Sequence, residues 1–139
     1  MKAITQEMIK TFRIKELGFD MMGYTFKRQG DLSFHHLIIP HRESRIAGIG
    51  EGYVFWNGAI LTQNTSHEYL HVIENYDPEL FYAITSELID ENILRQIEIN
   101  NLKNIRDMLL YFEREYCGKH SKKGKPIIKE SYVNNRIKL

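Results

Sequence analysis

Five of the chain's six histidines fall in two short runs, "FHHLIIPH" (His35, His36, His41) and "SHEYLH" (His67, His71). Imidazole titrates near neutrality, and its neutral form is the commonest protein ligand for metals. His67 and His71 stand four apart in a stretch of helical period. That spacing puts both rings on one helix face, roughly 6 Å apart at Cβ, where two histidines bind one divalent cation. The same spacing also describes a plain polar stripe on an exposed helix, so a site needs a further ligand. His35 supplies one if the strand that carries it meets the start of that helix. Side chains alternate across a strand, so His35 and His36 point to opposite faces and need not do the same work. With His35, His67 and His71 on one cation, at least one coordination position is left for water or a phosphate oxygen. His36, beside the ligand but off the metal, is then free to take a proton from the attacking water.

Such a site requires a strand, a second strand and a helix in that order, and the residue pattern provides them. Ile4, Met8, Ile9, Phe12 and Leu17 recur at near-helical spacing and predict a helix over 4–17 closed by Gly18. Residues 19–26, aromatic and methionine-rich around Gly23, read as irregular or strand. "LSFHHLIIP" reads as a strand. The segment "HRESRIAGIGEG", with Gly48, Gly50 and Gly52, reads as a mobile connection. In "YVFWNGAILT", Asn57-Gly58 between two apolar runs marks a β-hairpin or bulged turn, with Tyr53 and Trp56 as packing residues. Beyond "TQNTS" the period becomes helical. Thr65 or Ser66 is placed to cap a helix with Glu68 in its first turn, and Asp77-Pro78 ends that helix and starts the next. Two packed helices are expected over about 78–90 and 92–117, on stripes such as Leu80, Phe81, Ile84 and Leu88, then Ile105, Met108, Leu109 and Phe112. The expected class is α+β: a hairpin-plus-helix core at about 31–76 inside one domain, 1–118, braced by helices 4–17 and 78–117.

The bulk properties fit one domain. A chain of 139 residues, 16.5 kDa, buries a core without disulfide or metal staples. No apolar run approaches the ~20 residues needed to span a bilayer, and the first residues lack the apolar centre of a secretory signal. A cytoplasmic protein without membrane association is the expectation. Cys117 is the only cysteine, which excludes an internal disulfide and a four-cysteine zinc site, so any metal is held by nitrogen and oxygen. The net charge is only +1, but residues 119–139 carry seven basic side chains against Glu130 alone. This local +6 leaves −5 on the remainder. A basic tail suits a phosphate backbone, and equally suits a solvated chain end. Lys122, Lys123 and Lys125 in the tail, with Arg42 and Arg45 after the strand, are the candidate nucleic-acid contacts.

Taken together, "FHHLIIP", "WNGAIL" and "SHEYLH" resemble the HNH, or ββα-metal, endonucleases over about residues 31–73. The family pattern is a histidine pair followed by Ile-x-Pro, a variable loop, an Asn before a short apolar strand, and a histidine-bearing helix. The resemblance implies a ββα-metal core, with His35 as the strand metal ligand, His36 as the general base, Asn57 as the residue that organises the loop and holds the base oriented, and His67 and His71 as the helix ligands. The all-histidine set is similar to that of the nuclease domains of DNA-cleaving colicins. It also implies DNA as partner, one divalent cation (Mg, Mn, Ni, Co or Zn) as cofactor, and a setting in phages, mobile elements or host defence. Many members carry two CxxC pairs on a structural zinc, and "LTQNTSH" has none. Members also often have an acidic residue just before the base, and a histidine there favours softer cations over magnesium.

The expected activity is metal-dependent hydrolysis of DNA phosphodiesters, with His36 activating water and the cation neutralising the departing 3′-oxygen. The rival is a non-catalytic module with a structural metal, in which His41 serves as fourth ligand and the tail binds nucleic acid or a protein. A toxin-type nuclease with an immunity partner is a third reading, for which no residue speaks. One such site cuts one strand at a time, so double-strand cleavage needs a homodimer, successive nicks or a companion protein.

Overall fold

The computed structural model describes residues 2–46 and 48–112. These form a mixed α+β fold: a two-stranded antiparallel sheet among six helices. Strand β1 is Leu32–His36 and β2 is Gly58–Thr62, paired in the register Ser33 to Leu61, Phe34 to Ile60, His35 to Ala59 and His36 to Gly58. Helix α1 is Ala3–Thr11, α2 Ile14–Leu17, α3 His41–Ser44, α4 Glu68–Tyr76, α5 Pro78–Ile99 and α6 Ile105–Phe112. The core gathers Met8 and Ile14 from the N-terminal helices, Leu37 to Ile39 after β1, Ile60 and Leu61 of β2, Leu70 of α4 and Ile89 of α5, all within 2 % of full burial. None of these helices is long and apolar enough to cross a membrane.

Several expectations change in detail. The N-terminal helix is two segments, because Arg13 takes a left-handed conformation (φ 55°) between α1 and α2. On a straight helix Ile14 would lie about 140° round from Ile9. The break turns the chain so that both are buried. Gly18 closes α2 in the left-handed region, as its position indicates.

The run Tyr53 to Trp56 is not a strand. Phe55–Asn57 form a single 3-10 turn, and Asn57-Gly58 leads into β2, whose partner is β1 across the connection 37–57. That turn is held from α5, where the Asn92 amide lies 2.9 Å from the Gly58 carbonyl and 3.2 Å from that of Trp56. Trp56 is a core residue, 1 % exposed. Gly58 is required here, since a Cβ would stand 2.2 Å from the Phe34 ring across the sheet.

α5 runs unbroken from Pro78 to Ile99 in place of the two helices expected on either side of residue 91. Asp90-Glu91-Asn92 contains no helix breaker, and Asn92 points inward to its carbonyl acceptors. The start is as read: Pro78 sits in the first turn and the Asp77 carboxylate accepts from the Leu80 N–H. The stop is Asn100-Asn101, with Asn101 left-handed (φ 54°), and Asn104 accepts from Asp107 N–H at the start of α6. The remainder of the helix expected to 117, and the tail with Lys122, Lys123 and Lys125, lie outside the described residues.

Candidate metal centre and its cleft

β1 alternates as a strand must, with Leu32, Phe34 and His36 on one face and Ser33 and His35 on the other. His35 is 4 % exposed and meets both helix histidines edge-on, at ring-centroid distances of 5.0 Å to His67 and 5.3 Å to His71. His67 and His71 are 4.9 Å apart. One nitrogen from each ring lies within 4.8 Å of the other two. Nitrogens sharing a tetrahedral zinc stand about 3.4 Å apart, so small side-chain rotations close the three onto one ion. The donor set fits a transition-metal cation: three imidazoles, one fully buried, with no competing cation among them.

His67 and His71 are placed differently from the sequence reading. Neither Thr65 nor Ser66 caps α4. Instead Gln63–His67 form a π-helical turn that runs directly into α4, with His67 at the junction. Ser66 is turned inward to Asp20, a residue the sequence does not single out. The Asp20 carboxylate is 2 % exposed and accepts five hydrogen bonds. Oδ2 takes Ser66 Oγ–H at 2.5 Å and both Thr62 N–H and Oγ–H at 2.8 Å, and Oδ1 takes the N–H groups of Met22 and Tyr24. This one side chain therefore ties the loop after α2 to the end of β2 and to the turn that presents His67. Ser33, next to His35 on the same strand face, lies 2.6 Å from His67 Nδ1.

His36 stands on the other face of β1 in an aromatic box. Its ring is 4.8 Å from Tyr53, 5.1 Å from Phe34 and 5.3 Å from His41. Nε2 donates to the Glu51 carbonyl at 2.8 Å, which leaves the lone pair on Nδ1 in the neutral ring. Gly52 (φ 81°) allows this approach, since a Cβ there would stand 2.8 Å from His36 Cδ2 and 2.3 Å from Ser44 Oγ.

Asn57 explains why the loop holds this shape. Its side chain is fully buried; Oδ1 accepts from the N–H groups of Ile38 and Ile39, and Nδ2 donates to the carbonyls of Ile39 and Gly52. Its four bonds all go to backbone groups, and it acts by pinning the chain after β1 to the chain after Glu51.

All five histidines, with Arg42 and Tyr53, line one cleft of about 380 Å³. His41 packs against His36 and Tyr53 and stands outside the three-imidazole group. Arg42 faces the cleft. Arg45 is absent from its lining and pairs with Glu51 at 3.7 Å on the surface. Burial is the main influence on His67 and His36. It pushes His67 down to about 4, with His71 and His36 adding to the shift. Burial also lowers His36; the Glu51 carbonyl opposes this, while His41 and His71 reinforce it. Both rings are therefore neutral at pH 7, the state that ligates a cation or accepts a proton. Compared with protein-family models, with curated proteins and with solved structures, the chain finds no match in any of the three.

Proposed function

We propose that this chain is a metal-dependent endonuclease of the HNH type, with a ββα-metal core formed by β1, β2 and α4, acting on DNA phosphodiesters. The observation that carries the reading is the separation of duties across one strand. Three imidazoles converge on one side of β1, while His36 on the other is oriented by a backbone carbonyl with Nδ1 left as a base. A general base needs a fixed ring, a near-neutral pKa and access to the reacting water.

His35, His67 and His71 would hold the cation; His41 packs on His36 instead, so among the described residues the set has three ligands, which suits a site that keeps a position for water or phosphate. When bound, the ion supplies Lewis-acid polarisation of the phosphate and charge neutralisation at the departing oxygen. His36 Nδ1 takes the proton of a water whose oxygen forms the new bond to phosphorus. The P–O3′ bond breaks, and the 3′-oxygen leaves as a hydroxyl after protonation from solvent. Arg42 is placed in the cleft to orient a non-bridging phosphate oxygen. Asn57 keeps Glu51 and Gly52 against β1 and so keeps His36 aimed.

The test is incubation of the protein with supercoiled plasmid in EDTA and in Mg²⁺, Mn²⁺, Ni²⁺, Co²⁺ and Zn²⁺, with His36→Ala alongside. Metal-dependent nicking that vanishes in the variant supports the nuclease. A folded, metal-loaded protein that does not cut DNA favours the non-catalytic binding module.

A further inference from the structure

We propose that Ser33 is a positioning residue that fixes His67 in the tautomer with its proton on Nδ1, leaving the Nε2 lone pair for His67's place in the three-histidine group. The inference rests on the metal-site reading above and concerns a residue outside the ligand set.

Ser33 Oγ lies 3.2 Å from the Leu61 carbonyl oxygen, directly across the sheet, and 2.6 Å from His67 Nδ1. A hydroxyl has one hydrogen and two lone pairs, whereas a carbonyl oxygen only accepts. Two arrangements are open. In the first, the Ser33 hydrogen goes to Leu61 O and Oγ accepts from His67 Nδ1–H, so that every contact is a hydrogen bond. In the second, the hydrogen goes to Nδ1, the Oγ lone pairs face the carbonyl lone pairs, and Nε2 carries a hydrogen. The first satisfies both partners; the second turns one contact into an oxygen–oxygen repulsion. It also puts the hydrogen on Nε2, the ring nitrogen that the Ser33 contact leaves free to join those of His35 and His71.

The arrangement depends on strand alternation. Ser33 and His35 are two apart on β1 and share a face, so the strand that supplies one ligand also supplies the residue that orients another. Asp20 and Ser66 fix the turn just before His67, and Ser33 fixes its ring. Outer hydrogen bonds of this kind select a ligand's tautomer and raise its basicity, and their loss commonly costs roughly 10–100-fold in metal affinity.

The experiment measures His67 in metal-free, ¹⁵N-labelled protein at neutral pH by long-range proton–nitrogen correlation, then titrates Zn²⁺ against a competing chelator. Wild type, Ser33→Ala and Ser33→Thr are compared. The expected result is Nδ1–H at His67 in the wild type and in Ser33→Thr, which keeps the hydroxyl. In Ser33→Ala the tautomer shifts toward Nε2–H, with roughly 10–100-fold weaker Zn²⁺ binding. An Nε2–H tautomer in the wild type overturns the proposal without any variant, and so does a folded Ser33→Ala that keeps the wild-type tautomer. A wild type with the Nδ1–H tautomer but no Zn²⁺ affinity upholds Ser33's control of the ring and refutes the metal-site reading.

Discussion

His35 and His36 are adjacent in the chain and turn to opposite faces of β1. The first is buried against His67 and His71, and the second is bound to the Glu51 carbonyl and boxed by Tyr53 and His41. Removing either therefore damages a different property.

On the proposed roles, His67 and His71 on one side and His36 on the other are expected to separate cleanly in a metal titration. His67→Ala and His71→Ala should each weaken Zn²⁺ binding by at least tenfold, as loss of one nitrogen from a three-ligand set implies. His36→Ala should bind within about threefold of wild type, because the His36 ring is held by the Glu51 carbonyl on the other face of β1. Equal losses in all three variants would abolish the division.

Gly52→Ala tests the aim of His36 without touching its ring. The added methyl meets both Ser44 Oγ and the imidazole, at a residue with φ 81°. Overpacking together with a left-handed alanine should destabilise the fold by about 1–3 kcal/mol in urea denaturation. Nicking should fall further than the loss of folded protein explains, while Zn²⁺ affinity holds.

Asp20 is the buried anchor of the turn that presents His67. Asp20→Ala removes the acceptor of five hydrogen bonds, of whose donors Thr62 N–H keeps Ser66 Oγ at 3.0 Å, and a loss of about 3 kcal/mol or more in unfolding free energy is expected. Asp20→Asn keeps one acceptor oxygen and should fall between alanine and wild type. An alanine variant as stable as wild type would mean that the hub does not hold the turn.

These relationships show what was legible in the residues and what was not. The i, i+4 spacing of His67 and His71 and the alternation at His35-His36 are local properties, and both survive in the folded chain. Asn57 stood out as a turn residue, yet its place is a one-sided 3-10 turn held by Asn92 of α5, a contact between residues about thirty-five positions apart. Asp20 and Ser33 carried no signal of their own, because their partners, Ser66 and His67, lie far along the chain. A reading of strand faces would have found Ser33, since it shares one with His35; Asp20's turn with Met22 and Tyr24 is local, but its bonds to Thr62 and Ser66 are not. The continuity of α5 through Asp90-Glu91-Asn92 was masked because three polar residues look like a break until one of them is seen to point inward.

Stability should depend on pH through His67. Its folded value, about 4, lies below the ordinary 6.5, so between those values the unfolded chain binds a proton that the folded chain refuses. Stability is therefore full above pH 6.5 and declines as pH falls toward 4. His36, also lowered, acts in the same direction. The urea midpoint in metal-free protein should drop from pH 7 to pH 5, and His67→Gln should flatten that drop. An identical pH dependence in the variant would place the proton elsewhere.

If the tail neutralises phosphates, truncation after residue 118 should weaken DNA binding and flatten the dependence of its affinity on salt, because counterion release follows the number of phosphates neutralised. Arg42→Ala should lower the affinity with a smaller change of slope. An unaltered slope after truncation would make the tail a solvated end.

The four hydrogen bonds of the Asn57 side chain fasten Ile38 and Ile39 to Gly52 at the neck of the segment between them. The segment that carries His41, Arg42 and Arg45 leaves and re-enters the fold at this closed ring, and it is tied down within by buried Ser44 and Ile49. Lengthening such a segment adds only about 0.6 kcal/mol of closure entropy per doubling. Its exposed residues, Arg45 and Ile46, are therefore where it can be lengthened at least cost, with the neck and the buried Ser44 and Ile49 left to hold Gly52 beside β1.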